Sequence, residues 1–131
     1  APRAGLDWRD YIGLALFALA WLGEAVADRQ MRTFRSLPEN RGGICRIGLW
    51  NWSRHPNYFS EWLVWLSFAV IAVGGWGWIA VIGPVTMYWL LVHASGIPPL
   101  EAHLARSRPE AFARYAAEVS AFWPRPPRSS D

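Results

Sequence analysis

Between Trp62 and Val92 the chain runs 31 consecutive residues without a charged side chain. About 20 mainly apolar residues suffice for a helix to cross a bilayer, and a soluble domain of 131 residues seldom hides so long a run. One helix of that length would overshoot the hydrocarbon. Gly74, Gly75 and Gly77 crowd together inside it, and glycine admits turn conformations that other residues avoid. The pattern predicts two helices, over 57–74 and 76–95, joined by a short loop. The second is expected to kink at Gly83-Pro84 and to stop at Gly96-Ile97-Pro98-Pro99. An earlier apolar run, 11–27, broken only by Glu24, predicts a third span. Its end mimics a signal-peptide cleavage site, but Asp7 and Asp10 lie where such a signal should be basic.

Mean hydropathy, +0.07, is the average of these spans and two arginine-rich segments. All 13 basic residues are arginine, and the net charge is +3. Six arginines fall in 28–56 and five in the tail after Glu101, whereas the 74–77 connection is uncharged. Flanking hydrophobic spans, they fit the positive-inside rule better than a nucleic-acid surface. Three spans place both segments on one side, so loop 28–56 and tail 96–131 are expected to be cytoplasmic. Trp8, Tyr11, Trp50, Trp52, Tyr58, Trp76 and Trp78 cluster near the span ends as interfacial belts do. In the tail, Phe112, Tyr115, Ala116 and Val119 form an apolar stripe on a helix expected over 109–121, lying at the interface. The terminal Pro-Arg-Pro-Pro-Arg-Ser-Ser-Asp is expected to be disordered. Cys45, alone, excludes an internal disulfide. The expected fold is an all-α integral membrane domain over 1–131, with about three transmembrane helices plus a C-terminal interfacial helix.

Three polar constellations stand out. If the first helix continues past the membrane, Glu24, Asp28, Arg32 and Arg35 fall on one face. That stripe is either a ladder of surface ion pairs or the wall of a polar cavity, because acids at membrane depth are costly and usually face one. The second is Ser53-Arg54-His55-Pro56-Asn57-Tyr58 with Glu61. Pro56 suits a first helical turn, which puts Arg54 and His55 at a positive helix N-terminus able to hold an anion or lipid headgroups. The third is His93 to Glu101, with His103 beyond. The three histidines lack metal-ligand spacing, so no metal is expected. No dinucleotide fingerprint, P-loop or nucleophile elbow is present.

These pieces resemble the C-terminal half of the steroid 5α-reductase-like family of integral membrane reductases. The matching strings are Glu24-x-x-x-Asp28-x-Gln30, Gly48-Leu-Trp through Ser53-Arg-His-Pro-Asn-Tyr-Phe to Glu61, Ser95 to Glu101, and Tyr115 to Pro127. The resemblance implies hydride transfer from NADPH to an activated carbon–carbon double bond of a lipidic or steroid-like substrate. It implies that Glu24, Asp28, Arg32, Arg35, Arg46, Arg54, His55, Asn57 and Glu101 hold the cofactor. Tyr58 and Glu61 are implied to be catalytic, Tyr58 as a proton donor and Glu61 as a partner of Asn57 or of the nicotinamide amide. Ser60 stands where relatives mostly carry glycine, which predicts a looser helix approach there. Relatives carry further upstream spans that build much of the substrate pocket, and the chain lacks an initiator Met. It is therefore expected to be the cofactor-binding half of a larger bundle, self-associating or pairing with missing N-terminal spans. Two other readings stay open: an S-adenosylmethionine-dependent membrane methyltransferase of the isoprenylcysteine carboxyl methyltransferase type, which shares Arg-His-Pro-x-Tyr, and a non-catalytic membrane fragment.

Overall fold

The structure, a computed structural model, describes residues 6–128, with the backbone alone over 74–78. All regular structure among them is helical: α1 Trp8–Ser36, α2 Pro56–Trp76, α3 Ile82–Trp89, α4 Ile97–Ser107 and α5 Pro109–Glu118. Short 3-10 turns, Pro38–Asn40 and Gly48–Asn51, punctuate the long α1–α2 connection, and a π-helical turn, Leu90–Ala94, follows α3. Trp76 and Trp78 of the expected belt, and Ser129, Ser130 and Asp131 of the tail, lie outside the described side chains and residues.

α1 is one uninterrupted helix of 29 residues, about three turns longer than the apolar run that announces it. Asp7 caps its start in a reciprocal box: its carboxylate accepts from the Arg9 amide at 2.9 Å, while the Asp7 amide donates to Asp10 at 2.8 Å. It ends where Leu37 turns extended before Pro38. The length past residue 27 carries Asp28, Arg32 and Arg35 beyond the apolar stretch on a rigid arm.

Small residues let α1 and α2 meet closely, antiparallel. Gly13, Ala20 and Ala27 are buried on α1, opposite Ser60 and Ser67 on α2. A Cβ on Gly13 would collide with Ile71. Ser60, expected to loosen this contact, is accommodated: its Oγ lies 2.7 Å from where a Gly23 Cβ would stand, so glycine on α1 makes the room that the serine takes. Ser67 satisfies its hydroxyl on the Val64 carbonyl at 2.6 Å. Such small-residue interfaces suit membranes, where close packing replaces a hydrophobic driving force.

The expected loop at 74–77 is instead helical. α2 runs to Trp76 and passes into a 3-10 stretch, Gly77–Val81, from which α3 returns antiparallel. The Trp62 indole donates to the Pro84 carbonyl at 2.9 Å and its ring meets Tyr88 edge-on. The Gly83-Pro84 pair, where a kink is expected from sequence, sits in the first turn of α3, just past the 3-10 stretch.

The helical stretches Trp8–Ser36 and Ile79–Ser107 are long and apolar enough to cross a membrane. α2, Pro56–Trp76, is on average more apolar than α1, and its polar residues Asn57, Ser60 and Glu61 are gathered in its first two turns. Exposed apolar side chains coat the outside (Ile12, Leu14, Leu19, Trp21 and Leu22 on α1; Ile82, Val85 and Trp89 on α3), while the buried positions of α1 and α2, such as Gly13, Ala20, Ala27, Ser60, Ser67 and Ala69, are mostly small. This distribution is that of a helical integral membrane fold.

The tail differs most from expectation. Pro98 and Pro99 end one helix but sit in the first turn of another, α4, which the sequence reading does not foresee. α5 stops at Glu118. Its apolar stripe packs inward: Tyr115 is 3% exposed and Val119 2%. Beyond it, an extended strap returns along the α1–α2 connection, with the Arg54 amide on the Ser120 carbonyl at 2.7 Å and the Arg125 amide on the Trp52 carbonyl at 3.1 Å.

Candidate functional site

Ser53, Arg54 and His55 lead into α2 and organise one end of the molecule. The Ser53 hydroxyl accepts from the His55 amide at 3.1 Å and donates to the Phe122 carbonyl at 2.9 Å. The positive start of α2 does hold an anion, and it is the chain's own Glu101. Arg54 clasps that carboxylate with Nε at 2.7 Å and a terminal nitrogen at 3.0 Å, and His55 Nε2 meets it at 2.7 Å. The other terminal nitrogen of Arg54 donates to the Val119 and Ala116 carbonyls at 2.6 and 3.2 Å. Every nitrogen of the guanidinium is thus spent on α4, α5 and the strap. The sequence reading offers Arg54 and Glu101 to a cofactor; the geometry makes them the clamp that holds the tail against α2. Arg46 is similarly engaged, with Glu118 at 2.7 Å and Asn51 at 3.0 and 3.1 Å, its guanidinium 5.5 Å from the centre of the Tyr115 ring.

The connection between α1 and α2 is anchored through its own backbone. The Trp50 indole donates to the Ala27 carbonyl at 2.9 Å, and the Leu49 amide donates to the Gln30 side chain at 3.0 Å. Gly48, at φ +55°, lies where any Cβ would collide with Gln30. That explains why the Gln30 and Gly48-Leu-Trp strings occur together. The Tyr115 hydroxyl donates to the Trp50 carbonyl at 2.5 Å, and burial pushes its pKa well above the ordinary tyrosine value, with the Cys45 thiol adding to the rise and Arg54 and Arg46 opposing it.

These ties leave a cleft of about 670 Å³ between the last two turns of α1, the 37–45 turn, the start of α2 and α4. It brings together Asp28, Arg32, Arg35, Arg54, His55 and Asn57 of the residues singled out from sequence. Arg32 and Arg35 have no hydrogen-bond or ion-pair partner among the described residues. The side-chain oxygen of Asn57 is buried and has no hydrogen-bond donor among the described residues, a costly arrangement unless a ligand supplies one. Tyr58 is not part of the lining and stacks on His55, ring centroids 5.5 Å apart. Glu24 and Glu61 are not in the wall; they lie within electrostatic reach of each other, deeper between α1 and α2. No hydrogen bond joins Glu61 to Asn57 among the described residues.

Arg41, Arg108 and Cys45 also line the cleft and were not singled out from sequence. Arg41 and Arg108 lie 67 residues apart, and only the folded chain brings them to one wall. Burial raises the pKa of the Cys45 thiol, against the opposing effects of a backbone hydrogen bond at Ile47 and of the nearby Arg35 charge.

Residues 1–119 match the family described as "Protein of unknown function (DUF1295)". An uncharacterised protein of Schizosaccharomyces pombe is 33% identical over 50% of this chain and 24% of its own length. Steroid 5-alpha-reductase DET2 of Arabidopsis thaliana is 36% identical over 56% of this chain and 27% of its own. Probable O-methyltransferase ustE of Ustilaginoidea virens is 33% identical over 48% and 22%. The chain thus spans about a quarter of the length of these curated relatives. No solved structure matches.

Proposed function

Because the chain belongs to the DUF1295 family, which is the steroid 5-alpha-reductase-like family, we propose that it is the dinucleotide-binding part of a membrane reductase. The reaction is reduction of an activated carbon–carbon double bond in a lipidic or steroid-like substrate, with NADPH as the reductant. The observation that carries this reading is the coincidence, in one cleft, of two arginines without hydrogen-bond or ion-pair partners among the described residues and a buried amide oxygen without a donor among them.

The residues fit such a cofactor. Arg32 and Arg35 offer planar guanidinium forks to a diphosphate. Asp28, four residues before Arg32 on the same wall, accepts from ribose hydroxyls. Asn57 offers its vacant oxygen to a carboxamide N–H. When bound, the reduced nicotinamide supplies the hydride. Hydride delivery to an enone places negative charge on the substrate oxygen, which must be met by a hydrogen-bond donor or a proton. Tyr58, its ring held flat against His55, is our candidate donor. Glu61 and Glu24 sit deeper between α1 and α2, where an acid pair restricts what enters from the lipid side. Arg54, Arg46 and Glu101 act as positioning residues by fixing the wall. The substrate arrives laterally from the bilayer, and loop 28–56 and the tail face the cytoplasm of a bacterial inner membrane.

S-adenosylmethionine is the competing ligand, given the similarity to a probable O-methyltransferase. It carries a sulfonium and no phosphate, so a wall of unpaired arginines suits it poorly. Detergent-purified protein is to be titrated with NADPH, NADH and S-adenosylmethionine, following energy transfer from tryptophan to the reduced nicotinamide and quenching of Trp50, which lines the cleft. Saturable NADPH binding, weakened roughly tenfold or more by Arg35→Ala or Asn57→Ala, is expected. Saturation by S-adenosylmethionine alone would overturn the reductase reading.

A further inference from the structure

The cleft has two distinguishable ends. At the inner end lie Asn57 and His55, beside the Arg54–Glu101 clamp. From there two helices run outward together. α1 advances seven residues from Asp28 to Arg35, and the α4 side advances seven from Glu101 to Arg108, each a rise of about 10 Å at 1.5 Å per residue. Their far ends are tied: Arg108 Nε donates to the Gly42 carbonyl at 2.9 Å. The turn carrying Arg41 is pinned to the end of α1, with the Asn40 side chain on the Phe34 carbonyl at 2.9 Å and the Gly43 amide on the Asn40 carbonyl at 2.9 Å. Arg41 itself has no hydrogen-bond or ion-pair partner among the described residues, and Arg108 keeps its two terminal nitrogens free of them.

We propose that Arg41 and Arg108 form a phosphomonoester subsite at the outer end of the cleft, and that this subsite selects the 2′-phosphorylated dinucleotide over the unphosphorylated one. The inference rests on the dinucleotide reading above and adds to it a residue-level basis for cofactor choice. With the nicotinamide at Asn57, the diphosphate falls in the middle, at Arg32 and Arg35, and the adenosine ribose reaches the outer end. A ribose phosphomonoester there is close to a dianion at neutral pH. Two guanidinium groups on separate elements, one steadied by a backbone carbonyl, match its charge and its several acceptor oxygens. Without the phosphate, both cations line the same cleft with no anionic side chain bonded to either among the described residues.

Binding, not turnover, tests this. The wild-type protein, Arg41→Ala and Arg41→Lys are titrated with NADPH and NADH by the same energy-transfer signal. Adenosine 2′,5′-bisphosphate and 5′-AMP serve as fragment competitors. Arg41→Ala is the primary variant because its side chain holds nothing together; Arg108→Ala also removes the bond to Gly42, so its thermal unfolding is recorded beside its binding. Arg41→Ala is expected to weaken NADPH and the bisphosphate by roughly ten- to hundredfold while leaving NADH and 5′-AMP within about twofold. Arg41→Lys is expected to restore part of the difference. Equal loss for both dinucleotides, no loss for either, or a wild-type protein indifferent to the 2′-phosphate overturns the subsite and leaves the dinucleotide reading standing. A wild-type protein that binds neither dinucleotide overturns that reading and the subsite together.

Discussion

Arg54 donates four hydrogen bonds, two to Glu101 and two to the carbonyls of Ala116 and Val119, and its ring neighbour is Phe112 at 5.8 Å. That the Arg-His-Pro string starts a helix and attracts an anion is readable from local chemistry. That the anion is a carboxylate 47 residues further along is not, because helix-terminus physics leaves the identity of the partner open. Asp28, Arg32 and Arg35 were legible for the opposite reason: helical spacing alone puts them on one face, and the helix does continue. Tyr115 shows how one of four residues read as an interfacial apolar stripe becomes a core group. Its hydroxyl is buried and donates to the Trp50 carbonyl, and its pKa is raised chiefly by that burial. The sign of the pH effect follows. An unfolded tyrosine loses its proton near pH 10, whereas the folded one keeps it, so stability is intact below about pH 10 and falls as pH rises above it. Unfolding in detergent, followed from pH 7 to pH 11, should show this alkaline loss. Tyr115→Phe should be less stable by about 1 kcal/mol at pH 7 and should lack Tyr115's share of the alkaline loss. An identical alkaline profile in both proteins would count against the assignment.

At the level of elements, α1, α2 and α3 correspond to the three apolar runs, but their junctions do not follow the glycines. Gly74, Gly75 and Gly77 permit a turn without requiring one, and the chain satisfies its backbone there by passing from α into 3-10 geometry. α4 was hidden because a proline pair reads as a terminator and also fits a first turn; only the burial of Ile97 and the pull of Glu101 toward Arg54 decide between them. The α1–α2 contact can be tested directly. Gly23→Leu would push a side chain into the space that Ser60 occupies, and a loss of roughly 2–3 kcal/mol is expected from overpacking. The double variant Gly23→Ala with Ser60→Gly exchanges the small partner between helices and should recover most of the stability lost by Gly23→Ala alone. Thermal unfolding in one detergent compares the set, and equal stability across it would mean that the two helices do not press together at this level.

Taken whole, the molecule is a hairpin-like arrangement in which the far end of α1, the start of α2 and the tail gather on one side, as three antiparallel passes require. The apolar face of α1 from Ile12 to Leu22 is exposed. A helix with its outward side so apolar is expected to pair with a second copy or with additional spans, and multi-angle light scattering in a mild detergent should find a species larger than one chain. A monodisperse monomer would contradict that. The strap that braces the residues leading into α2 has a further consequence, in time. Ser120, Phe122 and Arg125 bond to the backbone or hydroxyls of residues 52–54, so the wall around the start of α2 is completed by residues that leave the ribosome some seventy positions later. During synthesis the spans can enter the bilayer while the arginine-lined face is still open. Loss of residues 119–128 by proteolysis or early termination should leave a membrane-inserted chain that never acquires affinity for its ligand.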